Sequence, residues 1–345
     1  MSDATGDGPD PSSTAPQRRR DAARGRRDEQ HDQGAAFEAH VRAARNGIEN
    51  QVAQARAEFD QANERIKQRT GRDLIVAILI GLALGAVLIL SLVFVKWLFL
   101  LFAIAAMVLG FIEFGRALTG TGRKVDLFPQ IGAGLLLVLA GYFVDPWLHW
   151  VSTFVAVAVV IVWRLIAQMT AHDGRVYGAV LSDVLVAGFA QIYVAFMASL
   201  CAVLLRQEGG EWWILAFIII AVASDTGAYA TGLAFGKHPM APRISPKKTW
   251  EGFAGAAAAA LLAGVLLGIF MLHLPWWAGL VIGVVILLTA TAGDLAESMI
   301  KRDLGIKDMS SWLPGHGGVL DRLDSILLSI VAALALYYLL NPLAV

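Results

Sequence analysis

Four aspartates in apolar or glycine-rich surroundings are the first candidates for chemistry. Asp225 and Asp294 lie inside long apolar runs, where an unpaired aspartate costs roughly 2.5–3.5 kcal/mol. Asp321 and Asp324 are three apart at the start of the last apolar run, so a helix places them on one face. Carboxylates converging from three helices need a cation, and oxygen ligands with phosphate chemistry favour Mg²⁺. Helix capping is the alternative for the last pair. Ser224, beside the first aspartate, is assigned to the same site.

Cationic and hydroxyl side chains accompany these acids. The stretch ISPKKTWEG contains Ser245, Lys247 and Lys248, whose hydroxyl and ammonium groups suit phosphate oxygens. Lys301 and Arg302 follow the second intramembrane aspartate by about two helical turns, so we expect them to face the same pocket. Charges that merely flank a membrane segment are the alternative interpretation of this last pair. The sequence therefore predicts a phosphate-binding site.

The glycine-rich segment PGHGG directly precedes the last apolar run. Its glycines permit positive φ and close approach of the backbone to a ligand, and the helix that follows offers an anion-binding N-terminus. We therefore assign His316, Gly317, Gly318 and Arg322 to substrate binding. The histidine is open to three roles: a hydrogen-bond donor, a base or a residue that folds the loop. The segment is not a P-loop, because no GKS or GKT follows the glycines.

The elements that must position these residues are membrane helices. Of 345 residues, 57% are hydrophobic and 16% charged, whereas soluble proteins carry roughly a quarter charged residues. The fold class predicted is an all-α, polytopic membrane protein of about nine transmembrane helices. Their predicted spans are 74–94, 97–115, 129–145, 147–168, 179–205, 211–233, 251–273, 276–296 and 322–341, with a possible break of the fifth at Gly188.

Two polar regions precede the helices. Residues 1–34 are rich in charge, Gly and Pro, which predicts a disordered tail. Residues 35–72 carry apolar side chains at steps of three and four, which predicts a cytoplasmic amphipathic helix. The remaining chain is divided into N-terminal transmembrane helices, 73–210, and a catalytic transmembrane region, 211–345.

Lysine and arginine alternate between the intervals that separate the apolar segments. They concentrate after the second, fourth, sixth and eighth segments, which predicts a cytoplasmic N-terminus. Every motif-like stretch then falls on the cytoplasmic face of the cell (inner) membrane. No chain of acidic residues runs through the segment centres, as an ion pathway would require. This pattern favours chemistry at the membrane surface over transport.

The stretch SMIKRDLGIKDMSSWLPGHGGVLDRLD, residues 298–324, resembles the signature of the phosphatidate cytidylyltransferases, also called CDP-diacylglycerol synthases. The stretches SDTGAY, FGKH, ISPKKTWEG and GDLAES are also similar to that family, so the resemblance is strong over 211–342. Leu233 departs from it, because many members carry arginine there. The matching positions are Lys301-Arg302, Lys307-Asp308, His316-Gly317-Gly318 and Asp321-Arg322-x-Asp324.

The resemblance implies a reaction, cofactors and roles. CTP and phosphatidic acid would give CDP-diacylglycerol and pyrophosphate in phospholipid biosynthesis, with Mg²⁺, a K⁺ ion in a paired site, and a homodimer in the bilayer. Asp294, Asp321 and Asp324 would be catalytic metal carboxylates, and Lys301 a catalytic cation that contacts phosphate. No nucleic-acid partner is expected.

Three alternatives remain at this stage. A CDP-alcohol phosphotransferase also uses aspartates on membrane helices, but its DGxxAR and GxxxDxxxD spacing is absent. A related cytidylyltransferase acting on another lipid, such as an ether lipid phosphate, has no distinguishing pattern in the sequence. A transporter or scaffold that binds nucleotide or lipid without turnover is the non-enzymatic alternative.

Overall fold

The structure is a computed structural model that describes Gln54 and residues 74–171, 173–310, 312 and 317–344. Side chains are described from residue 81 onward, except that of residue 84. The predicted tail of residues 1–34 and the amphipathic helix of residues 35–72 lie outside the described residues, apart from Gln54, whose backbone is helical. His316 also lies outside them.

The described chain is a bundle of helices with one small hairpin. In chain order the elements are α1 (Leu74–Phe94), α2 (Lys96–Gly120), α3 (Leu127–Phe143), α4 (Pro146–Thr170), α5 (Tyr177–Ala190), a π-helical segment (Gln191–Phe196), α6 (Met197–Leu205), α7 (Gly210–Phe235), β1 (Pro239–Ala241), β2 (Ser245–Thr249), α8 (Trp250–Phe270), α9 (Trp276–Asp303), α10 (Leu320–Leu340) and a 3₁₀ turn (Asn341–Leu343).

The lengths and hydropathy of these helices make this a multi-pass membrane protein. Within the described ranges seven helices are long and apolar enough to cross a bilayer: Lys96–Gly120, Pro146–Thr170, Tyr177–Leu205, Gly210–Phe235, Trp250–Phe270, Trp276–Asp303 and Leu320–Leu343. Two shorter apolar helices, Gly81–Phe94 and Leu127–Phe143, coincide with the predicted first and third segments. That these two also cross the membrane stays a prediction.

The long fifth segment changes its helical pitch instead of breaking. Helix α5 passes through Gly188 without interruption, and the π-helical turn begins three residues later at Gln191. Such π turns insert one extra residue per turn and are frequent near functional sites. The irregularity predicted at Gly188 is therefore displaced to Gln191–Phe196.

Helices α7 to α10 pack closely through small residues. At the crossing of α8 and α9, a side chain at Gly264 would overlap the backbone of Gly279 and Gly283. At the crossing of α9 and α10, a side chain at Gly293 would overlap the carbonyl oxygen of Asp324. Small residues let membrane helices approach this closely. The close approach brings the polar residues of neighbouring helices to one place.

Helix α10 belongs to both hydrophobic clusters of the core. Its C-terminal part, including Ile330 and Leu336, packs with residues of α7 and α9. Its N-terminal part, including Leu320 and Leu327, packs instead with α2, α3 and the π-helical segment. The last helix therefore joins the N-terminal helices to the region that carries the sequence motifs.

The hairpin is an addition to the predicted all-α fold. Strands β1 and β2 are antiparallel, with Pro239 opposite Thr249 and Ala241 opposite Ser245. Thr249 also caps α8, because its Oγ1 accepts a hydrogen bond from the amide of Gly252 at 3.1 Å. Strand β2 carries the SPKKT residues and is thus fixed directly to the start of a membrane helix.

Candidate active site

A polar cavity of about 490 Å³ lies between α7, the hairpin, α8, α9 and the start of α10. A cavity of this size accommodates a small-molecule ligand. Four separate sequence motifs meet in this cavity. The predicted residues that line it are Ser224, Asp225, Ser245, Lys247, Lys248, Asp294, Lys301, Asp321, Arg322 and Asp324.

Asp225 of α7 and Asp324 of α10 share a serine hydroxyl. Ser325 Oγ lies 3.2 Å from Asp225 Oδ2 and 3.1 Å from Asp324 Oδ1, so its single proton can be donated to either carboxylate. The amide of Ser325 also donates to Asp324 Oδ1 at 2.6 Å. Two carboxylates from different helices are thereby held side by side.

Asp294 of α9 is paired with Lys248 of β2. The Lys248 side chain is about a quarter exposed, so the pair is open to the cavity. Asp294 also accepts a long hydrogen bond from Ser298 Oγ at 3.4 Å. The hairpin thus presents a cation directly to one of the two intramembrane aspartates.

Asp321 has a different environment from the other aspartates. Its carboxylate accepts hydrogen bonds from Lys301 Nζ at 2.9 Å, from the Gly318 amide at 2.7 Å and from the Met309 amide at 3.1 Å. Lys301 also lies 3.3 Å from Glu297 Oε1, one turn earlier on α9, and Glu297 is fully buried. Asp321 therefore ties α9, the loop after it and α10 together.

The N-terminus of α10, predicted as an anion site, is bound by protein carboxylates. The Gly318 amide donates to Asp321, and the amides of Val319 and Leu320 each donate to Glu113 of α2 at 2.9 Å. Gly317 has a φ of +80°, as expected for a glycine-dependent turn. Contact of Gly317 and Gly318 with substrate stays a prediction.

Arg302 and Leu233 lie outside the cavity lining. Arg302 is exposed, and its Nε donates to the carbonyl oxygen of Ile244 in the hairpin turn at 3.2 Å. Leu233 is 76% exposed. Leu233, where the chain departs from the family pattern, is therefore not among the residues that line the cavity.

Several residues of the site were missed at the sequence level. Thr291 and Ser325 line the cavity, but single hydroxyls in apolar helices carry no specific signal. Glu113 is a stronger omission, since it is an acid inside an apolar run, the same signal that identified Asp225 and Asp294. Its partners lie about 200 residues further along the chain, and no spacing pattern links them.

The charges that line the cavity fit a bound cation. Phosphate groups would add negative charge to a cavity that already has more acidic than cationic side chains. Five aspartates and four cationic side chains line the cavity: Asp225, Asp294, Asp308, Asp321 and Asp324, and Lys247, Lys248, Lys301 and Arg322. Among the described residues no group of three His, Cys, Asp or Glu side chains is arranged to hold a metal ion by itself. Mg²⁺ is usually held by one or two carboxylates plus water and substrate phosphates. The donor set of the cavity fits that mode of binding.

A larger cavity elsewhere lacks the chemistry of the polar cavity. It measures about 670 Å³ and lies between α3 and α4, lined almost wholly by apolar side chains such as Leu136, Val155 and Trp163. Such a groove on membrane helices can accept hydrocarbon but offers almost no polar partners. The candidate site is therefore chosen by the chemistry of the lining and not by size.

The polar cavity combines carboxylates and cations within a bundle of membrane helices, a set of charges suited to binding phosphates together with a cation. The sequence pattern described as "Cytidylyltransferase family" matches residues 75–340. The chain belongs to this family.

Curated relatives match over most of the chain. A protein of Mycobacterium bovis named phosphatidate cytidylyltransferase is 41% identical over 278 residues, which are 77% of this chain and 88% of that protein. One of the same name from Mycobacterium leprae is 38% identical over 288 residues, 79% of this chain and 90% of that protein. A third from Staphylococcus epidermidis is 44% identical over 121 residues, 35% of this chain and 46% of that protein.

Proposed function

We propose that the polar cavity is the active site of a phosphatidate cytidylyltransferase. The enzyme transfers the cytidylyl group of CTP to phosphatidic acid, giving CDP-diacylglycerol and pyrophosphate for phospholipid biosynthesis. The observation that carries the proposal is the meeting of Asp225, Asp294, Lys248 and Lys301 in one cavity. Family membership and the names of the mycobacterial relatives support the choice of substrates.

The reaction needs no nucleophilic side chain. An oxygen of the lipid phosphate attacks the α-phosphorus of CTP, the bond between the α-phosphorus and the bridging oxygen breaks, and pyrophosphate leaves. The protein must hold two anions together and stabilise the charge that develops on the leaving group. Positioning and cation neutralisation carry most of such catalysis.

The cationic side chains have different surroundings, which suggests different roles. Lys301 is held by Asp321 and Glu297 and is about one-eighth exposed, so it is a preorganised charge. Lys247 and Arg322 are exposed at the cavity lining and suit the more mobile phosphates of an incoming nucleotide or lipid. Lys248 neutralises Asp294 in this structure, and we assign it to phosphate binding beside the carboxylates that would hold Mg²⁺.

Asp294 and Asp324 would hold Mg²⁺, with Asp225 beside them. The metal would screen the triphosphate and polarise the α-phosphate. Asp321, the third predicted metal carboxylate, has both oxygens engaged by Lys301 and backbone amides, so we assign it to positioning Lys301 and the start of α10. A K⁺ ion in a paired site remains a prediction from the resemblance.

The active site is proposed to face the cytoplasm, where CTP is made, with the enzyme in the cell membrane. Arg123, Lys124, Arg175 and Arg302 all lie at the end of the bundle that carries the cavity, in agreement with the positive-inside rule. Lys96 at the opposite end is paired with Glu211 at 2.9 Å. The N-terminus would then be cytoplasmic. A homodimer is also expected from the resemblance.

The test is an assay of purified protein in detergent with radiolabelled CTP, dioleoyl phosphatidic acid and Mg²⁺, with and without EDTA. We expect labelled CDP-diacylglycerol and an equal amount of pyrophosphate, both lost with EDTA and restored by excess Mg²⁺. Parallel reactions replace the acceptor with an ether-linked lipid phosphate or with glycerol 3-phosphate. Folded protein that gives no product with any lipid phosphate would contradict the proposal, and product only with the ether lipid would redirect it to another acceptor.

A further inference from the structure

Glu113 is a fully buried acid outside the cavity and outside the motifs of the catalytic region. It lies on α2, a helix whose other buried residues in this part are apolar, such as Phe111 and Phe114. Its carboxylate accepts three hydrogen bonds, from Ser310 Oγ at 2.6 Å and from the amides of Val319 and Leu320 at 2.9 Å. All three donors flank the glycine-rich turn that precedes α10.

The two glycines of that turn accommodate carboxylates. A Cβ at Gly318 would lie 2.6 Å from Glu113 Oε2, and a Cβ at Gly317 would lie 2.8 Å from Asp321 Oδ2. Gly317 also needs its positive φ. The turn is therefore shaped to fit between Glu113 on one side and Asp321 on the other.

A second contact joins the same face of α2 to the same loop. Arg116, one helical turn after Glu113, has its guanidinium carbon 4.6 Å from the centroid of the Trp312 ring, a cation–π geometry. The end of α2 thus holds the loop before α10 at two points, one buried and one exposed.

The N-terminus of helix α10 is capped from outside the helix. Its N-cap residue, Val319, provides no side-chain cap, although the first amides of a helix have no partner within it. Glu113 supplies the missing acceptor from a different helix, and its negative charge is favourable at a helix N-terminus. Asp321 and Asp324 follow within the next turn and a half, so their positions are set by where the helix begins.

We propose that Glu113 is a positioning residue for the cytidylyl-transfer reaction: it fixes the start of α10 and thereby the placement of Asp321 and Asp324. It does not line the cavity and contacts no substrate. The inference rests on the proposed function. It adds that a residue of the N-terminal helices controls the geometry of the catalytic region.

The experiment compares Glu113→Gln, Glu113→Asp and Ser310→Ala with the wild-type enzyme. We measure kcat and the KM for CTP, and hydrogen–deuterium exchange of the peptide that covers residues 317–323. Glutamine presents an amide N–H₂ to backbone donors, so kcat should fall about 10- to 100-fold while the KM for CTP changes less than about threefold. Aspartate keeps the charge and should recover part of the loss.

Ser310→Ala removes one of the three hydrogen bonds to Glu113 by changing the donor on the loop. Ser310 is partly buried, so this variant tests the positioning role even where a Glu113 variant does not fold. Its kcat should fall about two- to fivefold. The control is Ser199→Ala, which removes the buried 2.9 Å hydrogen bond to His149 Nε2 in the first turn of α4. It should lower the Tm and leave the kcat of folded enzyme within about twofold of wild type.

Hydrogen–deuterium exchange distinguishes failure of the positioning role of Glu113 from failure of the proposed function. Faster exchange at residues 319 and 320 in Glu113→Gln, together with the loss of kcat, supports positioning. Unchanged exchange, or wild-type kcat in either folded Glu113→Gln or Ser310→Ala, would overturn it. Wild-type enzyme that forms no CDP-diacylglycerol would instead sink the proposed function, while the exchange data still report whether Glu113 anchors the helix.

Discussion

Two polar clusters lie at the same end of the helix bundle, and they use charge differently. The paired cluster contains three ion pairs, two from the α2–α3 loop and one between the α4–α5 loop and α5: Arg164 with Asp126 at 3.0 Å, Lys124 with Asp173, and Arg175 with Asp183 at 3.1 Å. The polar cavity, by contrast, collects five aspartates and four cations around open space.

The comparison distinguishes charges that are paired within the protein from charges that we propose to bind ligand. In the paired cluster Arg164 and Asp183 are almost wholly buried, and each meets an opposite charge, as buried ions must. Outside the membrane-spanning helices, hydrogen bonds from Lys124 and then Gln168 lower the pKa of Asp173. In the cavity, Asp225 and Asp324 lie beside each other with only a serine hydroxyl between them. Crowding of like charge costs stability, and it is kept where a ligand or metal relieves it.

Removal of a cavity carboxylate should give the largest effect. Asp294→Asn keeps the shape of the side chain but removes the charge that pairs with Lys248 and would hold Mg²⁺. We expect CDP-diacylglycerol formation to fall about a thousandfold. Initial rates at saturating CTP and phosphatidic acid measure this. Asp303→Asn, at the exposed end of the same helix, is the matched control. Turnover within threefold of wild type in Asp294→Asn would remove Asp294 from the mechanism.

Loss of a cavity cation should have an intermediate effect. Lys248→Met keeps the length of the side chain but removes the ammonium group, so the KM for CTP should rise about 10- to 100-fold. The steady-state dependence of rate on CTP concentration measures it. Lys237→Met serves as the control, because Lys237 lies near the hairpin but outside the cavity lining. An equal rise in both variants would mean that general positive potential, and not a specific contact, attracts CTP.

Arg302→Ala should have the smallest effect, and it tests whether Arg302 lies outside the substrate-binding site. The side chain is exposed and bonds to the carbonyl oxygen of Ile244, so its loss loosens the hairpin turn. We expect a two- to fivefold rise in the KM for CTP, about the value of one exposed hydrogen bond. The same CTP titration measures it. A loss near a hundredfold would show that Arg302 swings into the cavity and binds substrate, as the sequence alone suggested.

The helices could be predicted because apolar runs of bilayer length leave few alternatives. The meeting of Asp225, Asp294 and Asp324 followed from the cost of isolated carboxylates in apolar segments. The hairpin could not be predicted, because Pro239 and Pro246 interrupt any strand pattern and its strands have only three and five residues. The contacts of Asp321 could not be predicted either, because its partners include two backbone amides, which leave no pattern in the sequence.

Glu113 marks the limit of the motif-based interpretation. An acidic residue within an apolar run can be recognised in the sequence. The hydrogen-bond donors of Glu113, however, are two backbone amides and a serine about 200 residues further along the chain. The sequence motifs suggest a boundary near residue 210 between supporting helices and the catalytic region. The hydrogen bonds of Glu113 cross that boundary.

One pair of matched substitutions tests most directly whether the carboxylates of the polar cavity are catalytic and those of the paired cluster are structural. Asp324→Asn in the cavity and Asp126→Asn in the paired cluster are assayed side by side for turnover and thermal unfolding. We expect Asp324→Asn to lose about a thousandfold in kcat with a Tm at or above that of wild type, because like-charge crowding is relieved. Asp126→Asn should keep kcat within about twofold and lower the unfolding free energy by about 1–3 kcal/mol. The reverse pattern, with turnover retained in Asp324→Asn and lost in folded Asp126→Asn, would contradict the assignment of the active site to the polar cavity.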